Sequence, residues 1–244
     1  MKKQKIAISV DNSLLNLVDS KVDGSVIRSR SQAIEYFLKK GLTEESITTA
    51  VLLLKGTQQD AALKNFKGKS LIKNQIEFFS NNGIKKIYLI TQNPRKELRE
   101  ELIDTNVEII EKDSKGNASA LLTLKGKIKS NFIVMSGDTY NNFDLIKMIN
   151  KHLSLNKLAT MGLMTREKPS AYGTAILDGD LIIDFQEKTK SLSSHIVNAG
   201  IYIFKPEIFE LIQGNSLEKE VFPKLAKIKE LIGFFTYGEY EHFG

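Results

Sequence analysis

Between residues 3 and 10 apolar and polar positions alternate. Ile6, Ile8 and Val10 fall on one side, and Lys3, Lys5, Ala7 and Ser9 on the other, the period-2 signature of a strand with one face to bury. Asp11 and Asn12 then offer a helix cap, and Leu14, Leu17 and Val18 share one helical face. The stretch DGSVI interrupts that helix. A second helix is expected where Ser29 and Gln32 stand at capping-box spacing, Ile34, Phe37 and Leu38 form a stripe, and Gly41 ends it. The pattern over residues 1–45 is therefore strand, helix, helix. So small a unit cannot enclose its own apolar faces, which predicts a homodimer or higher even oligomer built through residues 3–42.

A polar stretch, TEESITTA, follows as a short linker, and from residue 50 to residue 244 the pattern changes. AVLLL, KKIYLIT and NFIVMSGD are short apolar runs separated by helical stretches such as GKSLIKNQIEFFSNN and NASALLTLKGKI. Alternating buried strands and helices predict an α/β domain whose sheet is covered on both faces and binds ligands at the carboxyl ends of its strands. The loop opening at Lys55 and the pair Gly137-Asp138 fall at such ends.

Composition narrows the classes. The chain has 244 residues and no cysteine, which excludes a disulfide framework and thiolate metal sites. No apolar stretch approaches the roughly 18 residues of a membrane span, and the amino terminus turns polar too early for a signal peptide, so no membrane partner and a cytoplasmic location are expected. A formal charge of +6 favours a polyanionic partner. Much of that excess sits early: Lys2, Lys3, Lys5, Lys21, Arg28, Arg30, Lys39 and Lys40 outnumber Asp11, Asp19, Asp23 and Glu35.

The alternating basic strand followed by SRSQAI at the start of a second helix resembles the ribbon-helix-helix family of DNA-binding proteins. The resemblance covers residues 3 to about 45 and implies two chains pairing their strands in the major groove of double-stranded DNA. Carried over by position, Lys3, Lys5 and Ala7 would face base edges, and the helix amino terminus at Ser29 and Arg30 would hold a phosphate through its backbone N–H groups. The plainer alternative is a dimerisation arm with solvated lysines.

Residues 50–244 resemble the sugar-phosphate nucleotidyltransferases, through AVLLLKGT, GKSLIKNQIEFF, MSGDTYNNFDL, YGTAILDGDLIIDFQEKTK, VNAGIYIF and SLEKEVFPKL in that order. The two resemblances together imply an α/β chain, with an N-terminal ribbon-helix-helix module followed by a Rossmann-like mixed sheet of the glycosyltransferase-A type. Enzymes of this family join a sugar 1-phosphate to a nucleoside triphosphate with Mg2+ and release pyrophosphate. By position, Lys55, Gly56 and Thr57 would form the phosphate-binding turn, Asp138 would hold Mg2+, and Gly116 and Asn117 would lie near the base. Tyr172, Gly173, Glu187, Lys188, Asn198 and Gly200 would contact the sugar and its phosphate.

Asn117 stands where the family commonly has threonine, and two further positions depart from its pattern in ways that bear on catalysis. Gln58 stands where the glycine-rich loop carries arginine, in a loop about nine residues shorter and without the family's Pro-Lys, and His242 takes the place of a second aspartate. Glutamine supplies no charge to a forming phosphoryl bond, and a neutral imidazole is a poor ligand for Mg2+. The reading that follows is a DNA-binding transcriptional regulator whose large domain has lost catalysis and senses a nucleotide or sugar-nucleotide effector. Two alternatives stay open: an active sugar-1-phosphate nucleotidyltransferase with a DNA-binding or dimerising arm, and an assembly scaffold that binds no ligand.

Overall fold

The computed structural model describes residues 7–24, 27–44, 46–188, 194–235 and 238–244, and of residues 39, 40 and 42–44 the backbone only. The chain divides into two compact units, Met1–Ser46 and Ile47–Gly244.

In the first unit, α1 (Asn12–Asp19) is capped by Asp11, whose Oδ1 accepts from the Leu14 N–H at 2.9 Å. Helix α2 (Arg30–Glu44) opens with Ser29 Oγ accepting from the Gln32 N–H at 3.3 Å. The Gln32 side chain reaches back one residue further than expected, to the Arg28 N–H at 2.8 Å. Arg30 turns its guanidinium toward α1. It makes two 2.6 Å hydrogen bonds to the Asp19 carboxylate, joining α1 to α2. The expected strand is not seen in its described part: residues 7–10, Ala7 included, belong to no strand, because alternation makes a strand only where another strand supplies its hydrogen bonds. Lys3 and Lys5 lie outside the described residues. Leu14, Leu17, Tyr36 and Leu38 are at least half exposed.

The second unit opens with β1 (Thr49–Leu53), a 3-10 turn Gly56–Gln58 and α3 (Gln59–Leu63). The hairpin β2 (Asn65–Phe66) and β3 (Lys69–Ser70) turns through Lys67 and Gly68, both at positive φ, as a two-residue hairpin turn requires. Then come α4 (Leu71–Asn81), β4 (Lys86–Thr91), α5 (Lys96–Glu101), β5 (Val107–Glu111), α6 (Asn117–Leu121) and β6 (Phe132–Ser136). These are followed by β7 (Thr139–Asn141), α7 (Leu145–Leu155), β8 (Ala159–Thr165), β9 (Gly173–Asp178), β10 (Leu181–Glu187) and β11 (Ile196–Phe204). Helix α8 (Ile208–Leu211), a π-helical turn Leu217–Val221, α9 (Phe222–Lys227), β12 (Leu231–Phe235) and β13 (Tyr240–His242) complete it.

Nine of the described strands form one mixed sheet in the order β5-β4-β1-β6-β11-β8-β12-β10-β9, while β13 pairs with β7 and β2 with β3 in two small sheets. β1 runs parallel to β4 and β6, whereas β11 runs antiparallel to both β6 and β8. Side chains alternate between the two faces. Val51, Val134, Tyr202 and Phe204 enter one apolar cluster, while Ala50, Leu52, Ile133 and Met135 enter the other. Both faces of the central strands are thus dry, which is why their sequences read as unbroken apolar runs. Among the described residues no helix is long and apolar enough to cross a membrane.

His152 of α7 is fully buried. Its Nδ1 lies 2.8 Å from Thr160 Oγ1, and its Nε2 has no hydrogen-bond partner. Burial, followed by the charge of Lys205, lowers its pKa from 6.5 to about 4. In the unfolded chain the ring takes up a proton near pH 6.5, so unfolding binds a proton between pH 6.5 and 4. The stability this ring contributes is present above pH 6.5 and is lost as pH falls toward 4. Chemical denaturation at pH 7.5 and pH 4.5 should therefore show His152→Gln losing about 2 kcal/mol less than the natural chain across that interval. Equal losses would show that the ring does not titrate on unfolding.

Candidate active site

The ends of β1, β6, β8, β10 and β11 meet at one edge of the sheet, and two buried glutamines shape it. Gln59 is 2% exposed. Its Nε2 lies 3.2, 3.0 and 3.1 Å from the carbonyl oxygens of Gly56, Gln92 and Asn93, and its Oε1 accepts from the Arg95 N–H at 2.8 Å. It fixes the Gly56–Gln58 turn to the loop after β4. The turn lies close against that loop, for a Cβ on Gly56 would stand 3.0 Å from Gln92 O. Gln75 of α4 donates to the carbonyls of Ser136 and Thr139 at 2.9 and 2.5 Å. With the Gly137 N–H bonded to Leu53 O at 2.8 Å, it holds the turn that carries Asp138. Replacing Gln59 with alanine would leave the Arg95 N–H and several carbonyls unanswered, so unfolding by urea should show a loss of about 3 kcal/mol. A loss below about 1 kcal/mol would mean that water replaces the amide.

Asp138 is the centre of the edge. Its Oδ2 accepts from Gln58 Nε2 at 2.6 Å and lies 3.4 Å from His242 Nε2. The antiparallel pairing of β13 with β7 sets His242 opposite Thr139, and the Phe243 N–H donates to Asp138 O at 2.9 Å. Gln58 and His242, both departures from the family pattern, thus both reach Asp138. Lys55 and Thr57 are exposed on the turn beside it.

On the other side, β11 carries a register shift between Asn198 and Tyr202, with Gly200 inside it at φ 69°. Bulges of this kind re-aim side chains. Here Asn198 Oδ1 accepts from the Gly200 N–H at 2.9 Å, while Nδ2 donates to the Tyr202 hydroxyl at 2.7 Å. A Cβ on Gly200 would come 3.4 Å from Ser136 Oγ, so the bulge packs against the turn leading to Asp138. Gly173 approaches Glu187 closely, a Cβ there standing 2.7 Å from Glu187 Oε2. Burial, then the charge of Glu218, pushes the Glu187 carboxyl up. The Lys188 N–H donates to Tyr172 O at 3.2 Å.

Glu218, on the π-helical turn, ties this side to α6. Both its oxygens lie 2.9 Å from Asn117 Nδ2, and Asn117 Oδ1 accepts from the Leu217 N–H. Gly116 packs against the same segment, where a Cβ would lie 2.2 Å from Asn215 O. Two groups of candidate residues result: Gln58 and His242 at Asp138, with Gly200 against the Ser136 turn, and Gly116 and Asn117 against residues 215–218, where the Glu218 charge reaches Glu187. Gln59, Gln75 and Glu218 escaped the sequence reading; Glu218 lies in the block SLEKEVFPKL, whereas nothing local marks the two glutamines.

The nucleotidyl transferase family model matches residues 57–233. The chain belongs to that family. It is 32% identical over 182 residues to the mannose-1-phosphate guanylyltransferase catalytic subunit beta of Drosophila pseudoobscura pseudoobscura, covering 69% of this chain and 49% of the relative. It is 30% identical over 192 residues to the mannose-1-phosphate guanyltransferase of Saccharomyces cerevisiae, covering 72% and 53%. The chain thus spans about half the length of these relatives. Among solved structures, HddC from Yersinia pseudotuberculosis complexed with GMP-PN superposes with a TM-score of 0.67 at 20% identity, covering 81% of this chain and 94% of that one, which shows the shared fold.

These findings overturn the regulator reading. The relatives are named as transferases, not as DNA-binding proteins, so a role in transcription and double-stranded DNA as partner are set aside, together with the contacts expected of Lys3, Lys5, Ala7, Ser29 and Arg30. The match to the family begins only at residue 57. Arg30, occupied by Asp19, shows how a basic residue counted toward DNA can serve the fold instead.

Proposed function

We propose that the second unit transfers a nucleotidyl group from a nucleoside triphosphate to a sugar 1-phosphate, with GTP and mannose 1-phosphate as the preferred pair. The carrying observation is the likeness, at 30% identity or above, to relatives named as mannose-1-phosphate guanylyl transferases over some 180 residues. A phosphate oxygen of the sugar 1-phosphate attacks the α-phosphorus; the bond to the bridging oxygen breaks and pyrophosphate leaves with its electron pair.

Mg2+ takes one or two carboxylates together with substrate phosphates rather than a protein cage. Asp138, with a side chain 13% exposed, provides one such carboxylate. Among the described residues no group of three or more carboxylates or histidines gathers to form a cage. The donor set therefore fits an ion that arrives on the triphosphate. When bound, such an ion offsets the charge of the phosphates.

The Lys55–Gln58 turn cradles the triphosphate, and Gln58 orders the Asp138 carboxylate. Lys188, next to Glu187, adds positive charge on the sugar side. Tyr172, Gly173, Glu187, Asn198 and Gly200 shape the sugar side, with Glu187 accepting from sugar hydroxyls. Gly116 and Asn117 form the base side; because the Asn117 amide is occupied by Glu218, it acts there by shaping the wall.

The test is release of pyrophosphate across the four ribonucleoside triphosphates and a panel of sugar 1-phosphates, with Mg2+ present. Turnover on the order of one per second with GTP and mannose 1-phosphate supports the reading. No turnover with any pair rejects it.

A further inference from the structure

Arg166 follows β8 at the same edge of the sheet, where Thr165 pairs with Ile196 at the start of β11. Its backbone is pinned, the N–H donating to His195 O at 3.0 Å and its carbonyl oxygen lying 3.1 Å from His195 Nδ1. The guanidinium carbon sits 5.0 Å from the centre of the Tyr240 ring and 5.9 Å from that of Tyr172. Those two rings meet edge to face with centres 6.4 Å apart. Arg166 Nε is buried without a hydrogen-bond partner, and no described carboxylate forms an ion pair with the side chain.

A buried donor left unanswered is costly, and a guanidinium held beside two aromatic rings has lost the freedom that usually opposes ligand capture. The acceptor such a fork matches best is a carboxylate or phosphate. Position decides between substrates. Tyr172 directly precedes Gly173, which lies against Glu187 on the sugar side. Tyr240 stands two residues from His242, beside Asp138, and its hydroxyl is within electrostatic reach of both Asp138 and Arg166. The turn proposed for the triphosphate comes from β1 and reaches Asp138 through Gln58, whereas Arg166 reaches this region through the two tyrosines.

We infer that Arg166 binds the phosphate of the sugar 1-phosphate, with Tyr172 and Tyr240 holding its guanidinium in place. This assignment rests on the transferase reading above. It adds a substrate-binding cation that no motif in the sequence marked, in a site whose phosphate turn carries glutamine in place of arginine.

The experiment compares the full chain with Arg166→Met, which keeps the length of the stem without its charge, and Arg166→Lys, which keeps the charge without the fork. In steady-state assays with GTP and mannose 1-phosphate, Arg166→Met should raise KM for the sugar phosphate at least about tenfold. KM for GTP should stay within about twofold of its original value. Arg166→Lys should fall between the two proteins. An unchanged KM for mannose 1-phosphate would overturn the assignment, and so would a rise confined to GTP. Calorimetric titration of mannose 1-phosphate without nucleotide keeps the two readings apart. If the natural chain turns over no substrate pair, the transferase reading fails by itself. Arg166 is then judged by whether mannose 1-phosphate binds the natural chain and loses at least tenfold in affinity with Arg166→Met. Equal affinity, or no binding to either protein, counts against it. Should Arg166→Met fail to fold, as judged by its melting curve, Arg166→Lys carries the same comparison.

Discussion

Asp138→Asn should lower kcat for pyrophosphate release about a thousandfold while leaving the melting temperature nearly unchanged. The substitution keeps size and shape but removes the charge that a hard dication on the triphosphate needs. Charge stabilisation of this kind is worth several kcal/mol in the transition state, and each 1.4 kcal/mol is about a factor of ten in rate. The fold should tolerate the change because the turn is held elsewhere, by the two carbonyls bonded to Gln75 and by the Gly137 N–H on Leu53 O. The Gln58 amide can bond the new side-chain oxygen in place of the carboxylate. The measurement is initial rates at saturating GTP and mannose 1-phosphate beside a thermal melt. A variant within tenfold of the natural rate would show that Asp138 holds no catalytic ion.

Gln58→Arg is the second large effect, and it runs in the opposite direction. Gln58 Nε2 already reaches Asp138 Oδ2 at 2.6 Å, so a longer guanidinium at this position lies within range of the same carboxylate and of phosphates gathered there. A neutral amide offers one dipole, whereas the cation offers charge that strengthens as the phosphoryl bond breaks. The expected result is a kcat raised about tenfold or more, with KM for the sugar phosphate little altered, because the gain appears in the transition state rather than in binding. A lower kcat would mean that the arginine closes onto Asp138 as an ion pair and displaces the metal. In that case Gln58 is better read as a spacer that keeps the carboxylate available.

Much of the fold was legible because its strands bury both faces. AVLLL, KKIYLIT and NFIVMSGD became β1, β4 and β6 with limits shifted by a residue or two, and GKSLIKNQIEFFSNN became α4 with Ser70 as its cap. The first unit shows the limit of the same method. Its two helices begin where capping residues put them, although α2 runs through Gly41 to Glu44 instead of ending at the glycine, and the alternation from Ile6 to Val10 did not make residues 7–10 a strand. A helix closes its own hydrogen bonds, whereas a strand depends on a neighbour that periodicity cannot supply.

The site divides along the same line. The sequence by itself determined the family, through ordered blocks that bring Gly137-Asp138, Gly173, Glu187 and Gly200 to strand ends and bulges, and it marked Gln58 and His242 as departures from the pattern. The resemblance of residues 3 to about 45 to ribbon-helix-helix proteins, supported by the local excess of lysine and arginine, led instead to a DNA-binding regulator; a short pattern and a tally of charges contain no information about which groups are already paired. Only the tertiary structure showed that Gln58 and His242 converge on one carboxylate, that Gln59 and Gln75 hold the turns around it, and that Arg30 is neutralised by Asp19 while Arg166 stands against two tyrosines with a donor unanswered. The physical reason is range. Periodicity and capping are set within a few residues along the chain, whereas a hydrogen bond or a charge acts within a few ångströms of space, between residues such as 58 and 138, or 166 and 240, that only the folded sheet brings together.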